Sequence, residues 1–192
     1  MDEQVDNLHA QIISYLGRIN RGELSDEHTR ELINLMAAAN DLKHIGDLIQ
    51  SDLVDLGVKR FNAGITVSEH SHGAFLQLGE EVSNTLADAV KAVAENDNLI
   101  ASEVIRKKER INLLVDSAAM HEAQCFSAEE PNRLLAYTIE VAVIDKLKRI
   151  YYYAKRMAKT LPTPVSKETE IGYGIPRPVL GEVYIRLAEG QN

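Results

Sequence analysis

An all-α fold is predicted for this chain by three features of its sequence. Proline is absent from residue 1 to 130 and then occurs at Pro131, Pro162, Pro164, Pro176 and Pro178. Apolar residues recur every three or four positions through long stretches up to about Thr160, the spacing that lines one face of a helix. Two eight-residue segments about 105 positions apart read as copies of one another. They are Asn40-Asp41-Leu42-Lys43-His44-Ile45-Gly46-Asp47 and Asp145-Lys146-Leu147-Lys148-Arg149-Ile150-Tyr151-Tyr152. Proline removes a backbone donor and clashes inside a helix, so the first two features predict helices to about Thr160 and something else beyond. The third predicts a duplicated helical unit.

The elements follow in order. Val5, Leu8, Ile12, Tyr15 and Ile19 give a first helix that ends near Gly22. Ser25 caps a long second helix, with Asp26 and Glu27 where the helix dipole favours acids; its apolar line is Leu32, Leu35, Ala39, Leu42, Ile45, Ile49, Leu53 and Leu56. Residues 57–73 read as a loop closing at a cap at Ser68 or Ser71. A third helix with Leu76, Val82, Leu86, Ala89 and Val93 on its buried side runs to about Glu95. After a turn at Asn96-Asp97-Asn98, the line Ile100, Val104, Lys107, Ile111, Leu114 and Ala118 predicts one fourth helix to about His121. Ser127-Ala128-Glu129-Glu130 is a capping-box sequence, opening a fifth helix through Leu134, Ile139, Val143, Leu147, Ile150 and Ala154 to Met157. The domain reading is therefore a helical body over residues 1–160, in two repeats of roughly 1–75 and 76–160. Residues 161–192 form an extended Pro/Gly-containing arm in which Val183-Tyr184-Ile185 could make a short strand.

Bulk composition sets the class. With 45% hydrophobic and 26% charged residues the chain has the balance of a soluble globular protein. The single cysteine, Cys125, excludes an internal disulfide and a Cys-based zinc site and reads as a small buried apolar group in a reducing compartment. No stretch approaches the ~20 apolar residues of a membrane helix, and the N-terminus has no signal-peptide pattern. A net charge of −8 argues against general nucleic-acid binding, which needs a basic surface.

The Asn40-Asp41-Leu42-Lys43-His44-Ile45-Gly46-Asp47 segment, the run Lys148-Arg149-Ile150-Tyr151-Tyr152-Tyr153-Ala154-Lys155-Arg156 and the duplicated long helices together resemble the PhoU family over about residues 3 to 160. More narrowly, they look like the cytoplasmic PhoU-like domain at the C-terminal end of sodium-dependent phosphate cotransporter proteins. The resemblance implies an elongated all-α bundle of two related three-helix units, a role in phosphate uptake or its regulation, and no catalysis. In family members the signature reads Glu-x-x-x-Asp, and its carboxylates can hold iron or zinc. Here Asp47 matches the aspartate, but Lys43 stands where the glutamate is expected, and the second copy has Lys148 and Tyr152 at the two positions. A multinuclear cluster is therefore not expected, and a divalent metal or iron is disfavoured, because ligation needs several donors free of competing positive charge. The repeat with the second motif is preceded by two helical stretches, whereas the first begins almost at once at Glu3; the first unit would then lack part of its opening helix, as in the tail of a longer polypeptide with transmembrane segments before Met1, or in a short standalone form.

Two sets of residues are candidates for contact chemistry. Asp41, His44 and Asp47 lie three apart, so they drift around the helix by about 60° per step; they make either a solvated polar face or a single weak divalent site. His70 and His72, flanking Ser71 in the expected loop, read as exposed. The basic cluster Lys148, Arg149, Lys155, Arg156 and Lys159 interacts with the helix dipole or docks on anionic headgroups or a transporter's inner face. Three consecutive tyrosines cannot share one face, so at least one of Tyr151, Tyr152 and Tyr153 lies exposed. No sequence feature supports an enzyme. The expected partner is the transmembrane part of a phosphate transporter, in the same or a separate chain, met at the cytoplasmic face. The stripe Val82, Leu86, Ala89 and Val93 is compatible with a homodimer. The alternatives are a free-standing PhoU-type regulator of an ABC phosphate transporter and a sensor kinase, and a metal-binding helical protein.

Overall fold

A computed structural model describes residues 2–20, 22, 24–125 and 132–161. The described residues are helical throughout apart from short connections, with no strand among them. The helices are α1 (Asp2–Ile19), α2 (Asp26–Asp47), α3 (Val54–Asn62), α4 (Glu69–Glu95), α5 (Asn98–Arg106), α6 (Lys108–Cys125) and α7 (Arg133–Ala158). The capping box at Ser127, the arm with its candidate strand, and the Cys125 side chain lie outside the described residues.

The start signals hold where they are described. The Ser25 hydroxyl accepts the His28 N–H at 3.3 Å, and Ser68, not Ser71, caps α4 by accepting the Ser71 N–H at 3.0 Å. Asp97 accepts from Leu99 and Ile100, just after Asn96 ends α4 in the left-handed region at φ 51. Each such cap satisfies an otherwise orphaned donor and stabilises by about 1 kcal/mol.

Three expectations need correction. The second helix does not give way to a loop at Gly57: α2 continues through a π-helical segment, Leu48–Leu53, into α3 and stops only at Asn62. In that segment the Val54 N–H reaches back five residues to the Ile49 carbonyl. Gly57 is tolerated because α3 is an exposed extension with no buried residue. The expected fourth helix is two, broken at Lys107, whose side chain spans back to Asp88 of α4 at 2.9 Å. His70 and His72 lie in the first turn of α4 and not in a loop, because the chain enters the helix at Ser68.

The body is built around α4 and α7, which pack along each other, with α5 and α6 covering both. Their core holds Leu78, Val82, Ile111, Val115, Ile144 and Ile150, joined by Ala38, Ile45 and Leu48 from the α2 rod. At the other end Ala89, Ala92, Ala101, Val104, Ala154 and Ala158 form an alanine-rich seam that lets α4, α5 and α7 approach closely. Burial of each large aliphatic side chain contributes about 1.5–3 kcal/mol. α2 packs on α7, and α1 packs along α2 with Val5 against Gly46.

Candidate functional site at the crossing of the two repeat motifs

The fold lays the two copies of the motif against each other. α2 and α7 run antiparallel: Asn34 Nδ2 donates to the Thr160 carbonyl at 2.7 Å, Asp41 meets Arg156, His44 meets Tyr153, and Asp52 meets Lys146 at 2.8 Å. Rising numbers on one helix thus meet falling numbers on the other. The 105-residue offset makes Asp41 the counterpart of Lys146, and Arg156 the counterpart of Ser51, next to Asp52. The two ion pairs are therefore near-images of one another across the interface.

Asp41 is the most constrained of these groups. It is completely buried, and Arg156 grips it with two donors, Nε to Oδ2 at 2.9 Å and Nη2 to Oδ1. The carboxylate holds the Arg156 guanidinium in its charged form and raises its pKa above the usual arginine range, against the burial that opposes it. Arg156 is half exposed, its guanidinium 5.3 Å from the Tyr153 ring and 6.0 Å from that of Tyr152. Tyr153 stacks on His44 at 5.3 Å and meets Tyr152 edge-on at 5.6 Å. The planar, weakly hydrated guanidinium suits this placement, since it can bind a carboxylate bidentately while lying against aromatic rings.

Asp47 points elsewhere. Lys43 Nζ sits 2.8 Å from both of its oxygens and 3.2 Å from Asp6 of α1. Hydrogen bonds to Asp47 and then Asp6 raise the lysine pKa. The three candidate ligands therefore part company: Asp41 turns into α7, His44 lies on Tyr153, and Asp47 is tied through Lys43 to α1. The solvated-face reading fails for Asp41, which the α7 contact takes out of water. Iron or zinc carboxylate chemistry does not fit these residues, because an ammonium group occupies the Asp47 carboxylate. Among the described residues no group of three or more His, Cys, Asp and Glu side chains could hold a metal ion.

The basic residues of α7 divide by face. Lys148, Lys155 and Lys159 share one helical face by their spacing, while Arg149 and Arg156 lie on the next. Lys148, Arg149 and Lys159 are exposed. Lys155 is half-buried, its Nζ 5.4 Å from the Tyr151 ring, and burial together with the positive charges of Lys159 and Lys108 lowers its pKa. Of the tyrosine run, Tyr151 is buried and Tyr152 half exposed.

A second polar cluster went unread in the sequence. Glu122 of α6 and Glu140 of α7 are both buried, and Arg133 Nη2 lies 3.1 Å from the first and 3.4 Å from the second. Burial pushes the Glu140 carboxyl up to about 7, helped by the adjacent Glu122. Burial also opposes charge on Glu122, but hydrogen bonds from Glu140, Ser71 and Arg133 outweigh it and hold its pKa down. The charges of Arg133 and Arg60 oppose the rise at Glu140 but do not cancel it, so the pair holds one proton and one charge below about 7, as two close buried carboxyls do. The available signal was a carboxylate in each apolar register, after Ile111, Val115 and Ala118 in α6 and between Ala136 and Ile144 in α7.

Among the described residues no helix is long and apolar enough to cross a membrane. Comparison with curated proteins and with solved structures found no match. A family model described as the PhoU domain matches residues 1–51 and 75–161, the two stretches that contain the crossing motifs. That coverage is more than half of the chain, and with the all-α bundle it places this protein in the PhoU domain family, a family of regulatory, non-enzymatic helical domains with a phosphate-related role.

Proposed function

We propose that the protein is the accessory domain of a sodium-phosphate cotransporter and adjusts phosphate uptake through protein contacts at the inner face of the membrane. The observation that carries this reading is the state of the family signature. Both copies are retained as packing surfaces, with Asp41 and Lys146 in inter-repeat ion pairs, while Lys43 closes off Asp47. The motif is thus used to join helices, which suits a domain that acts as a rigid docking body. The exposed cations Lys148 and Lys159 on one face of α7, with Arg149 on the adjoining one, supply a surface attractive to acidic loops and headgroups on a protein of net charge −8.

The test is deletion of the coding region in its native host, with uptake of labelled phosphate and a phosphate-starvation reporter read in parallel. Altered uptake with a normally repressed reporter is the expected outcome. A constitutively active reporter would instead assign the protein to the free-standing regulators of an ABC transporter and its kinase.

A further inference from the structure

The buried carboxyl pair ends a hydrogen-bonded chain that reaches the surface. The exposed Ser68 hydroxyl donates to the buried Ser71 hydroxyl at 3.0 Å, Ser71 hydrogen-bonds the Glu122 carboxylate, and Glu122 also accepts from the protonated Glu140. The chain joins three elements. Ser68 and Ser71 open α4, Glu122 lies in the last turn of α6, and Glu140 lies two turns into α7. Three helix ends are thereby tied at one corner of the bundle, and Ser68 is also the residue that caps α4.

Apolar cover at that corner is thin. Met120 on α6 and Leu134 and Leu135 on α7 are exposed, which leaves Ala118, Ala136 and Ile139 as the buried apolar neighbours in sequence. The polar contacts are themselves incomplete. Glu140 Oε2 and Arg133 Nε are buried and make no hydrogen bond among the described residues, and Arg133 approaches both carboxylates with the same Nη2. The surrounding charges do not make up the difference. Arg60 of α3 is exposed and acts on Glu140 through its field, as His121 of α6 does on Glu122. Glu69 and His72 of α4 and Asp55 and Lys59 of α3 are exposed, and Asp52 of the α2 rod faces Lys146, nearly two turns further along α7. A second ionised carboxylate would therefore stand in the interior with its donated bond replaced by repulsion from Glu122.

We propose that Glu122 and Glu140 form a proton-operated latch: with the shared proton in place the ends of α4, α6 and α7 are pinned together, and its loss opens this corner to water while the rest of the bundle stays folded. Segments held by few apolar contacts open at lower cost than the global fold. The alanine-rich seam around Ala101 and Ala154 carries no such group and stays closed. The latch is independent of the transporter reading.

The test is hydrogen exchange of the full chain at pH 6, 7 and 8, with protection corrected for the intrinsic pH dependence of amide exchange. Amides of residues 119–124 and 135–141 are expected to lose about tenfold in protection from pH 6 to pH 8, levelling off above about 7, while those around Ala101 and Ala154 keep theirs. Glu140→Gln, whose amide can donate to Glu122 as the protonated acid does, should hold its pH 6 protection at pH 8. His121→Gln should behave as the parent. Protection at the corner that is flat with pH, a loss of equal size at the seam, a loss that persists in Glu140→Gln or one that vanishes in His121→Gln overturns the proposal. Carbon-13 carboxyl titration of the glutamate-labelled parent gives a check free of any variant. One glutamate should titrate in step with the protection change, and the absence of any glutamate midpoint above about 6 overturns the latch as well.

Discussion

Asp41 and Arg156 are 115 positions apart, yet the fully buried carboxylate of one is held by the half-exposed guanidinium of the other, joining the first repeat to the second. The two ends of the pair are not equivalent. Removing the arginine leaves a charge in the interior, whereas removing the charge on the aspartate leaves a cation that can turn to water. Arg156→Ala is therefore expected to destabilise by about 2–4 kcal/mol, below the full figure for a deeply buried pair because the arginine is half solvated. Asp41→Asn should cost about 1 kcal/mol. Urea unfolding of both variants and the double variant checks this, and a smaller loss for Arg156→Ala than for Asp41→Asn would remove the asymmetry.

Asp47 should matter little to stability. Its partner Lys43 and the carboxylate itself are both partly exposed, and pairs of that kind contribute about 0–1 kcal/mol. Asp47→Ala is expected to shift the unfolding midpoint only slightly. Elemental analysis of the protein purified without chelator should give less than one equivalent of dialysable iron or zinc. A full equivalent surviving dialysis would mean that the remaining donors converge after all.

The Glu122–Glu140 pair sets a pH dependence with a definite sign. The folded pKa of Glu140 is raised from 4.5 to about 7, so between those values the folded state holds a proton that the unfolded state has lost. Its stabilising effect is complete below about 4.5 and is lost as pH rises through about 7, a fall of up to about 3 kcal/mol. Glu122, with its lowered pKa, acts in the opposite sense and loses its contribution only as pH drops through its folded value. Glu140→Gln should flatten the decline between pH 5 and about 8 and leave the variant more stable than the parent at the alkaline end. Parallel slopes for the two proteins in denaturant titrations across that range would contradict the assignment.

Reversing Lys148, Arg149 and Lys159 to glutamate should leave the fold intact, since all three side chains are exposed. At about 1 kcal/mol per basic residue near an anionic surface, co-sedimentation with phosphatidylserine-containing vesicles should fall by tenfold or more at moderate salt. Arg156 is excluded from this variant because it holds Asp41. Equal sedimentation of parent and variant would show that this face does not meet the membrane.

The parts of this structure legible in the sequence are those set by local chemistry. Ser25 and Ser68 announce helix starts because a side-chain oxygen three residues ahead of a free N–H is a local event. What escaped notice depends on long-range partners. The apolar line through Leu35, Leu42 and Ile49 has helical spacing but is not the face that packs on α7. That face includes Asp41, a charge no periodicity would place inside, and it is buried because Arg156 arrives from the other repeat. Glu122 and Glu140 are the same case with Arg133. The break at Lys107 carries no glycine or proline, and the π-helical turn carries no marker at all.

That wider turn between Leu48 and Leu53 changes how the halves of the chain should be compared. It admits a residue inside a rod, so the tally along the chain slips while neither end of the helix is displaced into a loop. Asp52 consequently stands opposite Lys146 where strict counting would put Ser51. A fixed offset between the halves therefore drifts out of step midway through the first signature helix, although the pairing in space goes on. Insertions of this kind are absorbed by winding, and divergence between the copies can accumulate there without disturbing the joint that Asp41 and Arg156 make.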